Sequence, residues 1–193
     1  GNSANSSGGG LYINGTKPRF TNVVISGNYA GYAGGGIYFN IASEAVFKNV
    51  TISGNRAGNT GGAFRIEAAG STVPLFYNSI IYGNHTGVTS PRYDIGAKYH
   101  NSILQGSRGS GNWLITVGTN GGNNLDIDPQ FLSAPNGDTA PFTGGNYQLQ
   151  RTSPAINKGN NSYFEELAEA TRDLAGKPRV SDYEDGSLID MGA

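Results

Sequence analysis

The sequence predicts an all-β fold, a single right-handed parallel β-helix with an irregular C-terminal part that contains one short helix. Three observations predict it. Phe20-Thr-Asn-Val-Val-Ile-Ser-Gly-Asn28 returns as Phe47-Lys-Asn-Val-Thr-Ile-Ser-Gly-Asn55, as Phe76-Tyr-Asn-Ser-Ile-Ile-Tyr-Gly-Asn84 and, worn, as Tyr99-His-Asn-Ser-Ile-Leu-Gln-Gly-Ser107, at offsets of 27, 29 and 23 residues. A second motif keeps step with the first: Gly8-Gly-Gly-Leu-Tyr12, Gly34-Gly-Gly-Ile-Tyr38 and Gly61-Gly-Ala-Phe64. The apolar stretches, such as Val23-Val24-Ile25 and Val50-Thr51-Ile52, have strand length, are rich in β-branched residues and are punctuated by Gly-Asn or Gly-Gly. A unit of this size cannot bury its own apolar face and must stack on its neighbours.

Each element follows from that stacking. A coil of about 25 residues closes around three short strands, and coils stacked at about 4.8 Å form parallel sheets. No sustained 3.6-residue period runs through the repeats, and Leu is scarce, which excludes helical and leucine-rich repeats. Stacking places equivalent residues in columns. Phe20, Phe47, Phe76 and Tyr99 form an aromatic column; Ile25, Ile52, Ile81 and Leu104 form an aliphatic one. Asn22, Asn49, Asn78 and Asn101 form one amide column and Asn28, Asn55 and Asn84 another, both expected to hydrogen-bond along the axis. Gly27, Gly54, Gly83 and Gly106 fall at a corner where a left-handed backbone favours Gly.

Regular coils are expected over residues 1–110, with irregular coils and a capping segment of the same domain over 111–193. Trp113-Leu-Ile-Thr-Val117 reads as one strand in a Gly/Asn-rich stretch. Ser162 and Glu165 match a capping box, and Phe164, Leu167 and Ala168 share a helical face. A short helix over 163–170 is therefore expected to cover the last coils, since an open sheet edge invites further pairing.

Composition narrows the function classes. The chain has 193 residues, 14% of them charged, with a net charge of -1, and so carries no field that would draw nucleic acid or an anionic membrane. It has no Cys, which excludes disulfides, thiolate-zinc sites and thiol catalysis. No apolar run reaches the ~18 residues of a membrane span. Gly1 opens within Asn- and Ser-rich repeat-like sequence, which reads as a cut through a longer protein.

Two resemblances are specific. The paired Gly-Gly-[Ala/Gly]-[Ile/Leu] and Phe-x-Asn signatures, as in Gly9-Gly10-Leu11 and Phe20-Thr-Asn22, are similar to the repeats of bacterial polymorphic outer-membrane proteins, whose stricter form places the Asn one residue later. The C-terminal part resembles the choice-of-anchor Q domain of bacterial, often Bacteroidetes, surface proteins. The motifs are Asp126-Ile-Asp-Pro-Gln-Phe131, Gly145-Asn-Tyr-Gln-Leu149, Ser153-Pro-Ala-Ile-Asn-Lys-Gly159, Asp173-Leu-Ala-Gly-Lys-Pro-Arg-Val180 and Ile189-Asp-Met-Gly-Ala193. This resemblance implies a pectin-lyase-like β-helix, export, and anchoring to the cell surface through a segment outside this chain. It carries over no catalytic residue.

Folds of the pectin-lyase kind host polysaccharide lyases and hydrolases, so catalysis is the alternative reading. A lyase needs carboxylates to hold calcium against a uronate and a basic residue beside them; a hydrolase needs paired acids. The acids in the repeats are Glu44, Glu67 and Asp94, at non-equivalent positions. Arg92-Tyr93-Asp94 is a loose echo of a basic motif, and the 85–98 loop is the place it would act. His85 and His100 read as solvated turn residues.

Binding rests on outward aromatics. With Leu11 and Ile13 inward, Tyr12 points out, as does Tyr38 between Ile37 and Phe39. If Phe64 and Ile66 face inward in the third coil, Arg65 joins that column with Glu67 beside it. Such a stripe stacks sugar rings and binds hydroxyls; Tyr82 and Trp113 are further candidates. The plain alternative is that stacked tyrosines fill a sheet face. For calcium, Asp126 and Asp128 offer hard oxygens in an Asn-rich loop, and Asp182-Tyr-Glu-Asp-Gly186 loosely matches an Asp-rich loop. No other cofactor is expected. The expected function is a non-catalytic bacterial cell-surface module for adhesion or display, with a polysaccharide, a host or cell-surface glycan or a protein as partner.

Overall fold

Equivalent residues of successive repeats hydrogen-bond to one another, so each repeat is one coil of a parallel β-helix. The computed structural model describes residues 1–41, 43–67, 73–86, 96–164, 171–180 and 187–193. The first coil carries β1 (Ser3–Ala4), β2 (Leu11–Asn14) and β3 (Arg19–Ser26); the second carries β4 (Tyr29–Ala30), β5 (Ile37–Ile41) and β6 (Val46–Ser53). The third carries β7 (Arg56–Ala57), β8 (Phe64–Ile66), β9 (Leu75–Tyr77) and β10 (Ile80–Tyr82). The fourth carries β11 (His85–Thr86), β12 (Lys98–His100) and β13 (Ile103–Leu104), and β14 (Thr119–Asn120) adds one more rung. β1, β4, β7 and β11 form one sheet, β2, β5 and β8 a second, and the remaining strands of the coils a third that bends at each Asn of the Asn22 column.

The registers follow the sequence columns. Phe20 pairs with Phe47, Phe47 with Phe76 and Phe76 with Tyr99; Ile25, Ile52, Ile81 and Leu104 pair in the same way. The aromatic column is a continuous stack, with ring centroids 4.9, 4.5 and 5.3 Å apart and nearly parallel planes. Phe39, on the second sheet, meets Phe47 of the third sheet and Phe64 of its own sheet edge-on. One apolar column thus fills the coil interior.

The two Asn columns behave differently. Along Asn28, Asn55 and Asn84, each backbone N–H and side-chain amide donates to the next Oδ1, at 3.0 and 2.8 Å for Asn28 and 3.1 and 3.0 Å for Asn55. This is the axial ladder the repeats predict. The Asn22 column is not. Its members sit in the left-handed region, with φ of 56°, 49°, 49° and 45° at Asn22, Asn49, Asn78 and Asn101, and they turn their amides to the C-terminal chain. Asn101 Nδ2 donates to Lys158 O, Asn78 Nδ2 to Asn160 O, Asn49 Nδ2 to Asp190 O and Asn22 Nδ2 to Arg172 O. A corner residue at positive φ projects its side chain away from the axis, where the tail supplies carbonyls that the next coil does not. Along the axis, Asn78 Nδ2 reaches Asn49 Oδ1 at 3.5 Å.

The C-terminal part wraps the third sheet. An antiparallel pair, β15 (Phe131–Ser133) and β16 (Asn146–Leu149), flanks a loop that packs on the Gly corner. Gly27 and Gly54 have φ of 64° and 67°, and a Cβ on Gly27 would lie 2.3 Å from Phe142 O, so that corner demands Gly twice over. Across the outer face, Ile80 and Ile103 are covered by Ala155 and Met191, with Leu149 and Phe131 beside them. Over β10 and β13 that sheet is therefore buried on both faces.

Two sequence expectations are corrected. Trp113–Val117 is not a strand: a 3-10 turn over Ile115–Val117 folds the chain back, and Trp113, Leu114 and Val117 lie over the end of the apolar column. Trp113 Nε1 donates to Gly118 O at 2.8 Å, which closes that turn. At the predicted 163–170 helix, Ser162 is not the cap; Asn160 accepts from Ser162 N, and Asn161–Tyr163 form a single 3-10 turn. Residues 165–170, including Glu165, lie outside the described residues.

Candidate functional site

The second sheet differs from the third in its sequence pattern. Leu11-Tyr12-Ile13, Ile37-Tyr38-Phe39 and Phe64-Arg65-Ile66 alternate, which is the pattern of a sheet with one buried and one open face. Tyr12 pairs with Tyr38 and Tyr38 with Arg65 in register, and Phe64 is fully buried while Ile66 packs on the core. The structure thus brings Tyr12, Tyr38, Arg65 and Glu67 together. The two phenol rings stack with centroids 5.3 Å apart, and Tyr12 is 55% exposed whereas Tyr38 is 8% exposed. Tyr38 hydrogen-bonds Glu67, and burial with that acceptor raises its hydroxyl above the usual phenol range. Arg65 Nε lies 3.4 Å from Glu67 Oε2. Beside the column, Asn40 Nδ2 donates to Asn14 Oδ1 at 3.1 Å, and Lys17 pairs with Glu44 at 2.5 Å.

The other sequence candidates lie elsewhere. Trp113 is partly buried over Tyr99, 5.9 Å between ring centroids, and closes the apolar column. Both carboxylate oxygens of Asp126 accept backbone N–H groups, from Gly106 at 2.9 Å and Arg108 at 2.8 Å. Asp128 Oδ1 accepts from Gln130 N at 2.7 Å. Asp128 and Tyr82 meet at the wall of one pocket of about 310 Å³. Among the described residues no three His, Asp or Glu side chains gather as a metal-holding group. Arg92, Tyr93, Asp94 and most of the 85–98 loop lie outside the described residues, as does 182–186 apart from its neighbours.

His85 and His100 are strand residues with partners rather than turn residues, and the His85 side chain stays 41% exposed. His85 Nδ1 lies 2.6 Å from Asp138 Oδ1, which ties the wrapping loop to the first sheet, and Arg56 donates to Asp138 O from the adjacent rung. His100 packs against Tyr77 and Tyr163, whose rings also touch each other, with Tyr163 Oη 3.3 Å from its Nδ1. Burial, aided by Lys98 and opposed by a backbone bond at Gly121, lowers its titration below the ordinary value. The unfolded chain then takes up the proton first, so folding is undisturbed above pH ~6.5 and is disfavoured as pH falls from there through the folded value. In an NMR titration the His100 ring should therefore give a midpoint below ~6.5; a midpoint at or above it would contradict the packing.

Sequence reasoning missed the groove between the first coil and the tail. It measures about 560 Å³ and is lined by Val24, Tyr147, Asp173, Lys177, Arg179 and Asp190, among others. Arg179, 4% exposed, donates to Gly192 O at 2.7 Å and to Asn22 Oδ1, joining the tail to the first coil. Burial pushes its guanidinium down to about 10, still protonated at neutral pH, and raises the Asp190 carboxyl. The signal was present in the Asp173–Val180 motif, but only the fold shows which coil Arg179 reaches.

No family model matches the chain, and no curated protein and no solved structure matches it either.

Proposed function

We propose that this β-helix is a non-catalytic bacterial cell-surface module that binds carbohydrate on the outer face of the β2–β5–β8 sheet. One observation carries the reading: the Tyr12–Tyr38–Arg65 column stands on an outer face that alternates in sequence, while the outer face of the third sheet is covered by the tail. Tyr12 offers an open ring face, and the Arg65–Glu67 pair offers donors and acceptors for hydroxyls beside it. Export and surface attachment rest on the resemblance to choice-of-anchor Q and polymorphic outer-membrane proteins. The rigid stack of coils would hold the face away from the cell.

The test is binding of the 193-residue chain to an array of host and plant glycans, with and without calcium, with released chain ends assayed on any glycan bound. A reproducible ligand is expected. Tyr12→Ala should weaken it about tenfold, near 1.4 kcal/mol, without lowering Tm. An array without a ligand would overturn the reading. Release of new chain ends, lost on changing a single acidic or basic residue, would support the lyase or hydrolase alternative instead.

A further inference from the structure

We propose a second sugar-binding site, independent of the β2–β5–β8 face, in the pocket of about 310 Å³ where the wrapping segment meets the corner after β10. It takes one neutral, hydroxyl-bearing sugar unit, such as the end of a glycan chain. Ser53, Tyr82, Asp128, Gln130, Phe131 and Gln150 form its working surface.

The polar groups there are each held by one arm and leave the other open. Asp128 uses Oδ1 to accept from Gln130 N at 2.7 Å, while its Oδ2 accepts from no described residue. Gln130 uses Oε1 to accept from Thr152 Oγ1 at 2.7 Å, which leaves its carboxamide N–H groups to donate. Gln150 is the reverse: Nε2 donates to Phe131 O at 3.1 Å and Oε1 is left to accept. Ser53 also lines the pocket, and its hydroxyl bonds to no described residue. The set therefore offers two fixed acceptors, one fixed donor and one hydroxyl of either kind.

Those groups surround apolar surface. Tyr82 and Phe131 pack on the Ile80 cluster and border the same space. Ring hydroxyls that donate to a carboxylate and accept from an amide, with a C–H face against aromatic carbon, match a pyranose. The size lies at the small end of ligand pockets, which run from about 300 Å³ upward. Charge selects within sugars. No Lys or Arg is among the described lining residues and one carboxylate is, so a uronate or sulfated sugar would meet repulsion rather than a partner.

The experiment is an amide NMR titration of the whole chain with glucose, galactose, mannose, N-acetylglucosamine and glucuronate. At least one neutral sugar should shift the Gly83, Gln130 and Gln150 amides and saturate, and glucuronate should not. Asp128→Asn keeps the Oδ1 that holds the turn but replaces the open acceptor with a donor, and should weaken binding at least about tenfold. Gln150→Ala should weaken it in the same direction, and serves if Asp128→Asn does not fold. Tyr12→Ala should leave this titration unchanged, so failure of the sheet-face reading does not carry over to this one. Absence of saturable shifts at these amides, equal response to glucuronate, or full affinity in the two pocket variants would overturn the proposal.

Discussion

Asn55→Ala should lower the unfolding free energy by about 3–5 kcal/mol, measured by urea denaturation. Asn55 is fully buried at the middle rung of the axial ladder. Its Oδ1 accepts from both the backbone and the side-chain nitrogen of Asn28, and its Nδ2 donates to Ile25 O at 2.8 Å and to Asn84 Oδ1 at 3.0 Å. Alanine removes both ends at once. It strands the Asn28 N–H and the Ile25 carbonyl in a dry interior, where each orphaned group costs about 1–3 kcal/mol. Asn28→Ala should cost less, because the group its Oδ1 serves, Asn2 N, belongs to an exposed residue. Equal, small losses of under about 1 kcal/mol at both positions would show that water reaches the ladder and satisfies it.

The same comparison shows what was legible in the sequence. A repeated Phe-x-Asn-…-Gly-Asn cassette states its own register, because identical residues at equivalent positions gain most when stacked, and Phe20, Phe47, Phe76 and Tyr99 do so. The Tyr12–Tyr38–Arg65 column followed from alternation alone, given that Phe64 faces inward. What alternation hid was the third sheet. Val23-Val24-Ile25 and Ile80-Ile81 are consecutive apolar residues, the mark of strands buried on both faces, and they announce a cover over the outer side. The cover itself was not legible, because it consists of segments without period. Asp126, Ser153, Asp173 and Ile189, read as family motifs or calcium candidates, hold turns and seal that face through backbone contacts. Backbone partners leave no periodic trace in a sequence. The same is true of Asn49 and Asn78, whose side chains look identical to ladder residues until their positive φ is known.

Asn78→Ala should cost about 3–4 kcal/mol, and Asn78→Gly distinctly less. Asn78 is fully buried, with φ of 49°, and its side chain closes a reciprocal pair with the tail: Oδ1 accepts from Asn160 N at 2.8 Å and Nδ2 donates to Asn160 O at 3.0 Å. Alanine loses the pair and also pays the left-handed backbone penalty of about 1–2 kcal/mol, from which Gly is exempt. The difference between the two variants therefore isolates backbone strain, and what Gly still loses isolates the grip on the tail. Gly192 N donates to Asn78 O at 2.7 Å and Met191 N to Ala155 O at 3.1 Å, so amide exchange at these two positions reports that grip directly. In Asn78→Gly, exchange at Asn160, Met191 and Gly192 should accelerate while the Asn55 and Ile52 amides of the coil keep their protection. Uniform acceleration through coil and tail would instead mean that the two open as one unit. Local release has a further consequence, because it uncovers Ile80 and Ile103, which are fully buried under the tail. The loosened variant should then bind a hydrophobic dye and self-associate at concentrations where the parent chain stays dispersed.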